Sequence, residues 1–235
     1  MSISGPAALV LVALFGCGQA PRNAANPGPA DAAVPVYREP MHRLVFQSPL
    51  VRVLDVRVPP GDTTGYHVHA DRLVGIAVQD ARTWAQVLGA PPGAVATPRT
   101  LPSTFDNWSQ QLPYTHRVAN VDTVPLHYVV AEWLAQSGAQ APALRDGPDR
   151  RLLREGATAR IYQVTLAPGR ATQPHTHATP GLVVLGTPGA LSEEGPSRAK
   201  GGKGAGSWSW HDTPAPHVLR NDGAERIVVY EIDWR

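Results

Sequence analysis

One pattern occurs twice in this chain of 235 residues, and its recurrence limits the folds open to it. Gly61-Asp-Thr-Thr-Gly-Tyr-His67-Val-His69 is matched by Gly169-Arg-Ala-Thr-Gln-Pro-His175-Thr-His177. Each is a glycine, five residues, then His-x-His. Each is completed downstream by a histidine with an asparagine four positions later, His116/Asn120 and His217/Asn221. Such a repeat predicts two similar domains of about 100 residues, a size that can bury a modest core.

The match extends beyond the histidines. Arg43-Leu44-Val45 aligns with Arg151-Leu152-Leu153, and VRVLDVRV from Val51 aligns with ARIYQVTL from Ala159. The latter pair alternates polar and apolar residues, which predicts half-buried strands with the polar side outward. On that reading Arg52 and Arg160 are outward arginines. Pro60-Gly61 and Pro168-Gly169 turn the chain into the His-x-His strands. Near the end of each half, Val129-Val130-Ala131-Glu132 aligns with Val228-Val229-Tyr230-Glu231, so both glutamates read as structural. No segment holds a helical period over three turns, and 24 prolines with 22 glycines suit short strands and turns. The expected class is all-β, two tandem sandwiches or barrels, with domains at 38–136 and 150–235 and a linker at 137–149. The Gly-rich residues 186–206 predict a mobile loop.

A formal charge of +2 without a basic stripe gives no reason to expect nucleic acid. The single cysteine, Cys17, excludes an intrachain disulfide framework and cysteine-based zinc sites. It ends a short apolar run, AALVLVALF from Ala7 to Phe15 followed by Gly16, too short to span a bilayer but suited to a signal peptide. A small residue before a lone cysteine resembles a bacterial lipobox. That implies a signal peptide at 1–17, lipidation of Cys17, and an envelope or periplasmic protein that meets the membrane only through its lipid. An ordinary secretory signal is the other reading. Residues 18–37, polar and proline-rich, read as a flexible tether.

Side chains alternate faces along a strand, so His67 and His69 share one face, as do His175 and His177, while Val68 and Thr176 point away. His116 or His217 from a neighbouring strand supplies a third imidazole. Three neutral imidazoles suit a divalent transition metal and leave coordination positions open. Fe, Mn, Zn, Ni and Cu are not distinguished. One half keeping its metal while the other only scaffolds is a second reading. Asn120 and Asn221 are expected in left-handed turns. Trp108, Trp208 and Trp210 are expected in the core, with Tyr66 and Tyr114 treated alike. His42, His127 and His211 lack partners at metal spacing and read as surface or strand-end residues. No phosphate loop or nucleophile elbow is present.

The glycine-x5-His-x-His and His-x3-Asn elements resemble the two motifs of the cupin superfamily, and their tandem order resembles a bicupin over residues 39–235. The resemblance implies two small jelly-roll barrels with the histidines pointing inward. The family's first motif continues with a glutamate three or four residues past His-x-His. Leu73, Val74, Gly181 and Leu182 stand there instead, and Asp71 is the nearby carboxylate of the first half. The expected ligand set is therefore three histidines per site. By analogy the chain is a metal-dependent oxygenase of a small molecule. The missing glutamate weighs against reactions needing a carboxylate acid or base. The rival reading is a non-catalytic envelope lipoprotein that binds a metal or small ligand. A scaffold with vestigial sites is disfavoured, because six of nine histidines are kept. Pairing of two chains through outer strands is the oligomeric expectation.

Overall fold

The computed structural model describes residues 32–135, 143–144, 146–212 and 214–235. The signal peptide, Cys17, most of the tether and most of the linker lie outside the described residues. The first half carries β1 (Val34–Pro35), β2 (His42–Gln47), β3 (Val51–Val58), β4 (His67–His69), β5 (Leu73–Gln79), β6 (Thr83–Val87), β7 (Ser103–Asp106), β8 (Tyr114–Asn120) and β9 (Leu126–Trp133). The second carries β10 (Arg150–Glu155), β11 (Ala159–Leu166), β12 (His175–Thr176), β13 (Gly181–Leu185), β14 (Leu191–Glu194), β15 (Ala199–Gly201), β16 (Trp208–His211), β17 (Pro216–Asn221) and β18 (Ile227–Trp234).

Each half folds into two sheets. In the first, β2-β3-β9-β5-β7 stands against β1-β4-β8-β6; in the second, β10-β11-β18-β13-β16-β15 stands against β12-β17-β14. The chain is all-β, two tandem jelly-roll barrels. Among the described residues no helix is long and apolar enough to cross a membrane.

The motifs hold each barrel closed. Gly61 and Gly169 take φ of 80° and 69°, a left-handed turn that glycine enters without penalty. Their N–H groups donate to the Asn120 and Asn221 carbonyls, both at 3.0 Å. The two asparagines are buried, and no non-glycine described residue has positive φ, so neither is the left-handed turn residue expected. Asn120 Nδ2 instead donates to the Val58 and Val124 carbonyls at 2.9 and 2.8 Å. Asn221 Nδ2 does the same to Leu166 and Glu225 at 3.0 and 2.7 Å. Each asparagine thus satisfies carbonyls of two chain segments, which explains its place in the repeat.

Three further expectations change. Strand β3 is buried on both faces, because one lines its barrel and the other meets the second half. Arg52 therefore points inward. Residues 34–37, assigned to the tether, fold instead: β1 pairs in parallel with β4, and Val36 is buried in a 3-10 turn, Val36–Arg38. Residues 186–206, expected as a mobile loop, contain β14 and β15, which pair with β17 and β16.

The larger sheets of the two barrels pack together around one apolar core. Val51, Val53, Val129 and Trp133 meet Ile161, Trp208, Trp210, Ile232 and Trp234 there. Trp208 and Trp210 are core residues, as expected, and Trp108 packs against the same cluster.

Candidate metal centres

Strand register brings the expected histidines together in both barrels. His67 pairs with His116 across β4 and β8, and His175 pairs with His217 across β12 and β17. In the first barrel the ring centroids of His67, His69 and His116 lie 4.6–5.1 Å apart. In the second, those of His175, His177 and His217 lie 4.3–5.2 Å apart. His67 Nδ1 donates to the Gly65 carbonyl and His175 Nδ1 to that of Gln173, each at 3.0 Å. That assignment leaves the Nε2 lone pairs turned to the centre. The Nε2 atoms of His67 and His217 are buried without a hydrogen-bond partner, an arrangement that suits a metal ion. Both triads can hold one.

The sequence matches no protein-family model and no curated protein. Solved structures do resemble the fold. AerE from Microcystis aeruginosa superposes with a TM-score of 0.57 at 12% identity, over 84% of this chain and 98% of AerE. Salicylate 1,2-dioxygenase from Pseudoaminobacter salicylatoxidans, solved with gentisate, gives 0.55 at 12% identity, over 85% and 76%. YhaK from Escherichia coli gives 0.51 at 14% identity, over 81% and 90%. The fold is a cupin-type one.

The two cupin-type barrels differ at what surrounds the histidines. Pairing of β3 with β9 and of β11 with β18 sets Trp133 opposite Val51 and Trp234 opposite Ala159. On that register the counterpart of Glu132 is Asp233, and the counterpart of Glu231 is Val130. The shared Val-Val-x-Glu had aligned the two glutamates two residues out of step, a slip that preserves the faces. Both glutamates face the histidines, which corrects the structural role expected of them. Glu132 Oε1 lies 3.6 Å from His69 Nδ1, and its Oε2 accepts from Arg52 at 2.7 Å. Asp233 meets His177 Nδ1 in the same way.

Glu231 does something the first barrel has no group for. Its Oε1 lies 2.8, 3.3 and 3.5 Å from the Nε2 atoms of His175, His177 and His217. The second set is therefore three histidines and a glutamate, not three histidines alone. Arg150 Nε donates to the other oxygen of Glu231 at 2.8 Å. Arg150 stands opposite Val164 on β10, where His42 stands opposite Val56 on β2. An arginine–glutamate pair thus fills the second barrel where histidine and valine leave room in the first. The cavities follow: about 120 Å³ beside His67, His69 and His116, against about 10 Å³ beside His177 and His217. The smaller holds no more than about one water.

Electrostatics divides the barrels too. Burial, with the neighbouring imidazoles, pushes His116 down to about 3 and His67 lower still, so these two rings are neutral. Burial would lower His177 as well, but hydrogen bonds to Asp233 and Glu231 raise it to about 9.

His211 was expected to have no partner; its Nε2 lies 2.8 Å from Glu193 Oε1, which is also 2.8 Å from His217 Nδ1. The carboxylate orients the His217 ring from behind. His42 and His127 are buried rather than superficial. Tyr114 stacks on His69 at 4.9 Å, whereas Tyr66 lies under Arg117. Asp71 does not join the imidazoles; it stands 3.8 Å from Arg52. Arg160 bonds Glu155 at 2.9 Å.

Proposed function

We propose that the first barrel is a metal-dependent oxygenase centre for a small, largely apolar molecule, and that the chain is a bicupin with one working site. The observation that carries this is the triad of His67, His69 and His116 opening onto a cavity of about 120 Å³. That is close to the ~150 Å³ of an engineered apolar cavity that takes benzene. A divalent transition metal on three imidazoles keeps positions open and would supply Lewis-acid or redox chemistry to a bound molecule. The chain's own groups do the rest. The Gly65 carbonyl fixes the His67 ring, and Glu132, anchored by Arg52, faces His69 Nδ1 at 3.6 Å. Val56, Val58, Leu126 and Val130 line the cavity and keep water out. The gentisate-bound dioxygenase of the same fold supports the reading as an analogy of fold alone. The second barrel, with Glu231 inside its triad, would hold a metal with little space beside His177 and His217.

The test is metal content of the full chain beside two double variants. His67→Ala/His69→Ala should lose the metal that exchanges and is open to small molecules. His175→Ala/His177→Ala should leave that metal in place. A wild-type chain that takes up no metal even on reconstitution would sink the reading.

A non-catalytic binding protein is the second reading. It is favoured by Arg52 engaging Glu132, the carboxylate that faces the first triad. For either reading we place the protein in the cell envelope, anchored through Cys17, on the strength of the apolar leader and lipobox-like end. Labelled palmitate should enter the wild type and not Cys17→Ala; a wild type that takes up none would refute the anchor.

A further inference from the structure

The cavity of the first barrel is mostly apolar, yet one buried side chain on its wall has an edge with nothing bound to it. His42 lines the cavity, and its ring lies 4.3 Å from that of His67. Its Nδ1 is 2.6 Å from Glu39 Oε2. Glu39 is itself buried and accepts from the backbone N–H groups of Met41 and Gly65 at 2.9 and 3.0 Å. It acts throughout as an acceptor, so the proton between the pair belongs on His42 Nδ1. Nε2 is then the ring nitrogen left to meet a bound molecule. It has no hydrogen-bond partner among the described residues.

Outside the histidine triad, the other polar side chains on the wall are engaged. Thr64 Oγ1 accepts from the Val118 N–H at 2.9 Å. Asn107 caps the Leu73 N–H and the Asp71 carbonyl and bonds Tyr114. Asp106 is paired with Arg154, and the Tyr128 hydroxyl donates to Asp80. In the second barrel the place of His42 is taken by Arg150, which is bound to Glu231. The open nitrogen therefore occurs beside the triad of His67, His69 and His116, whose cavity is larger than the one beside His177 and His217.

We propose that the first barrel takes a small, mostly apolar molecule bearing a hydroxyl group, and that His42, held by Glu39, recognises that hydroxyl. Glu39 is a positioning residue: it fixes the ring and the tautomer. His42 determines specificity, because a buried hydroxyl without a hydrogen-bond partner is costly, whereas one that meets Nε2 is compensated. The inference deepens the reading of this cavity as a substrate site and rests on it.

Phenol and toluene are the probes, alike in shape and different in the donor. Each is titrated into the full chain, with metal content measured on the same sample. Phenol should bind the wild type roughly three- to tenfold more tightly than toluene, the effect of one buried hydrogen bond. His42→Leu alone would strand the Glu39 carboxylate, so the variant is Glu39→Gln/His42→Leu, in which toluene should bind better. A measurement on the wild type needs no variant: the His42 Nε2 nitrogen resonance should move on adding phenol and stay on adding toluene. Equal binding of the two probes, no binding of either, or a phenol preference that survives in the double variant would each overturn the proposal. A phenol preference in a chain free of metal would uphold His42 and remove the oxygenase reading. Bound metal without the preference would do the reverse.

Discussion

Asp55 shows how a single side chain ties charge to stability here. Its carboxylate accepts from His127 Nε2 at 2.8 Å, Arg43 at 2.8 Å and Arg57 at 3.2 Å. Burial alone would raise it, but those bonds hold it well below the ordinary carboxylate range. A group depressed in the folded chain adds stability above its unfolded value, and that stability is lost as pH falls through the folded value. Urea unfolding should therefore show the wild type losing stability below about pH 4. Asp55→Asn should be flatter there, and weaker at neutral pH by about 1–3 kcal/mol because His127 and two arginines lose a charged acceptor, and one of its two oxygens becomes a donor NH2. An unchanged acid slope in the variant would refute this. At the same scale, the six histidines could be read from the sequence because a period of two puts His-x-His on one face. Their supports could not. Arg52 lies on a strand whose two faces are both buried, and His42 opens a strand whose burial does not alternate, so inward and outward cannot be told from alternation.

Among the elements, the repeat carried the architecture: it located β3 and β11, the His-x-His strands β4 and β12, and the closing strands β8 and β17. What it misjudged were strands with little periodic signal. Strand β14 lies in a stretch rich in glycine and charge, and pairs with β17 so that Glu193 reaches His217. Its stability is tertiary, and local composition does not record it. Strand β1 is two residues long, and its partner is parallel and distant in sequence. The last strand of each half is the subtler case. Val-Val-x-Glu looks like one conserved step, but strand pairing sets the register by Trp133 and Trp234, and only then does Glu231 fall among the histidines. A shift of two residues along a strand leaves every face correct and every partner wrong.

The whole molecule is less two beads than one core with two mouths. The apolar cluster between the barrels draws from both, and its centre is a tryptophan pair: Trp133 and Trp234 stack with centroids 3.4 Å apart and planes 6° off parallel. Trp210 meets Trp234 edge-on at 5.4 Å. Because the strands that bear Glu132, Glu231 and Asp233 also bear these tryptophans, the seam holds both histidine centres in register from behind. A shared core predicts that the barrels unfold together, since neither large sheet keeps its outer face dry alone. Calorimetry of the wild type should therefore show one transition. Trp234→Ala removes a fully buried ring, should cost about 3–5 kcal/mol, and should separate the melting of the two halves. Two transitions already present in the wild type would show that the barrels are energetically independent, and the seam would then be a contact rather than a core.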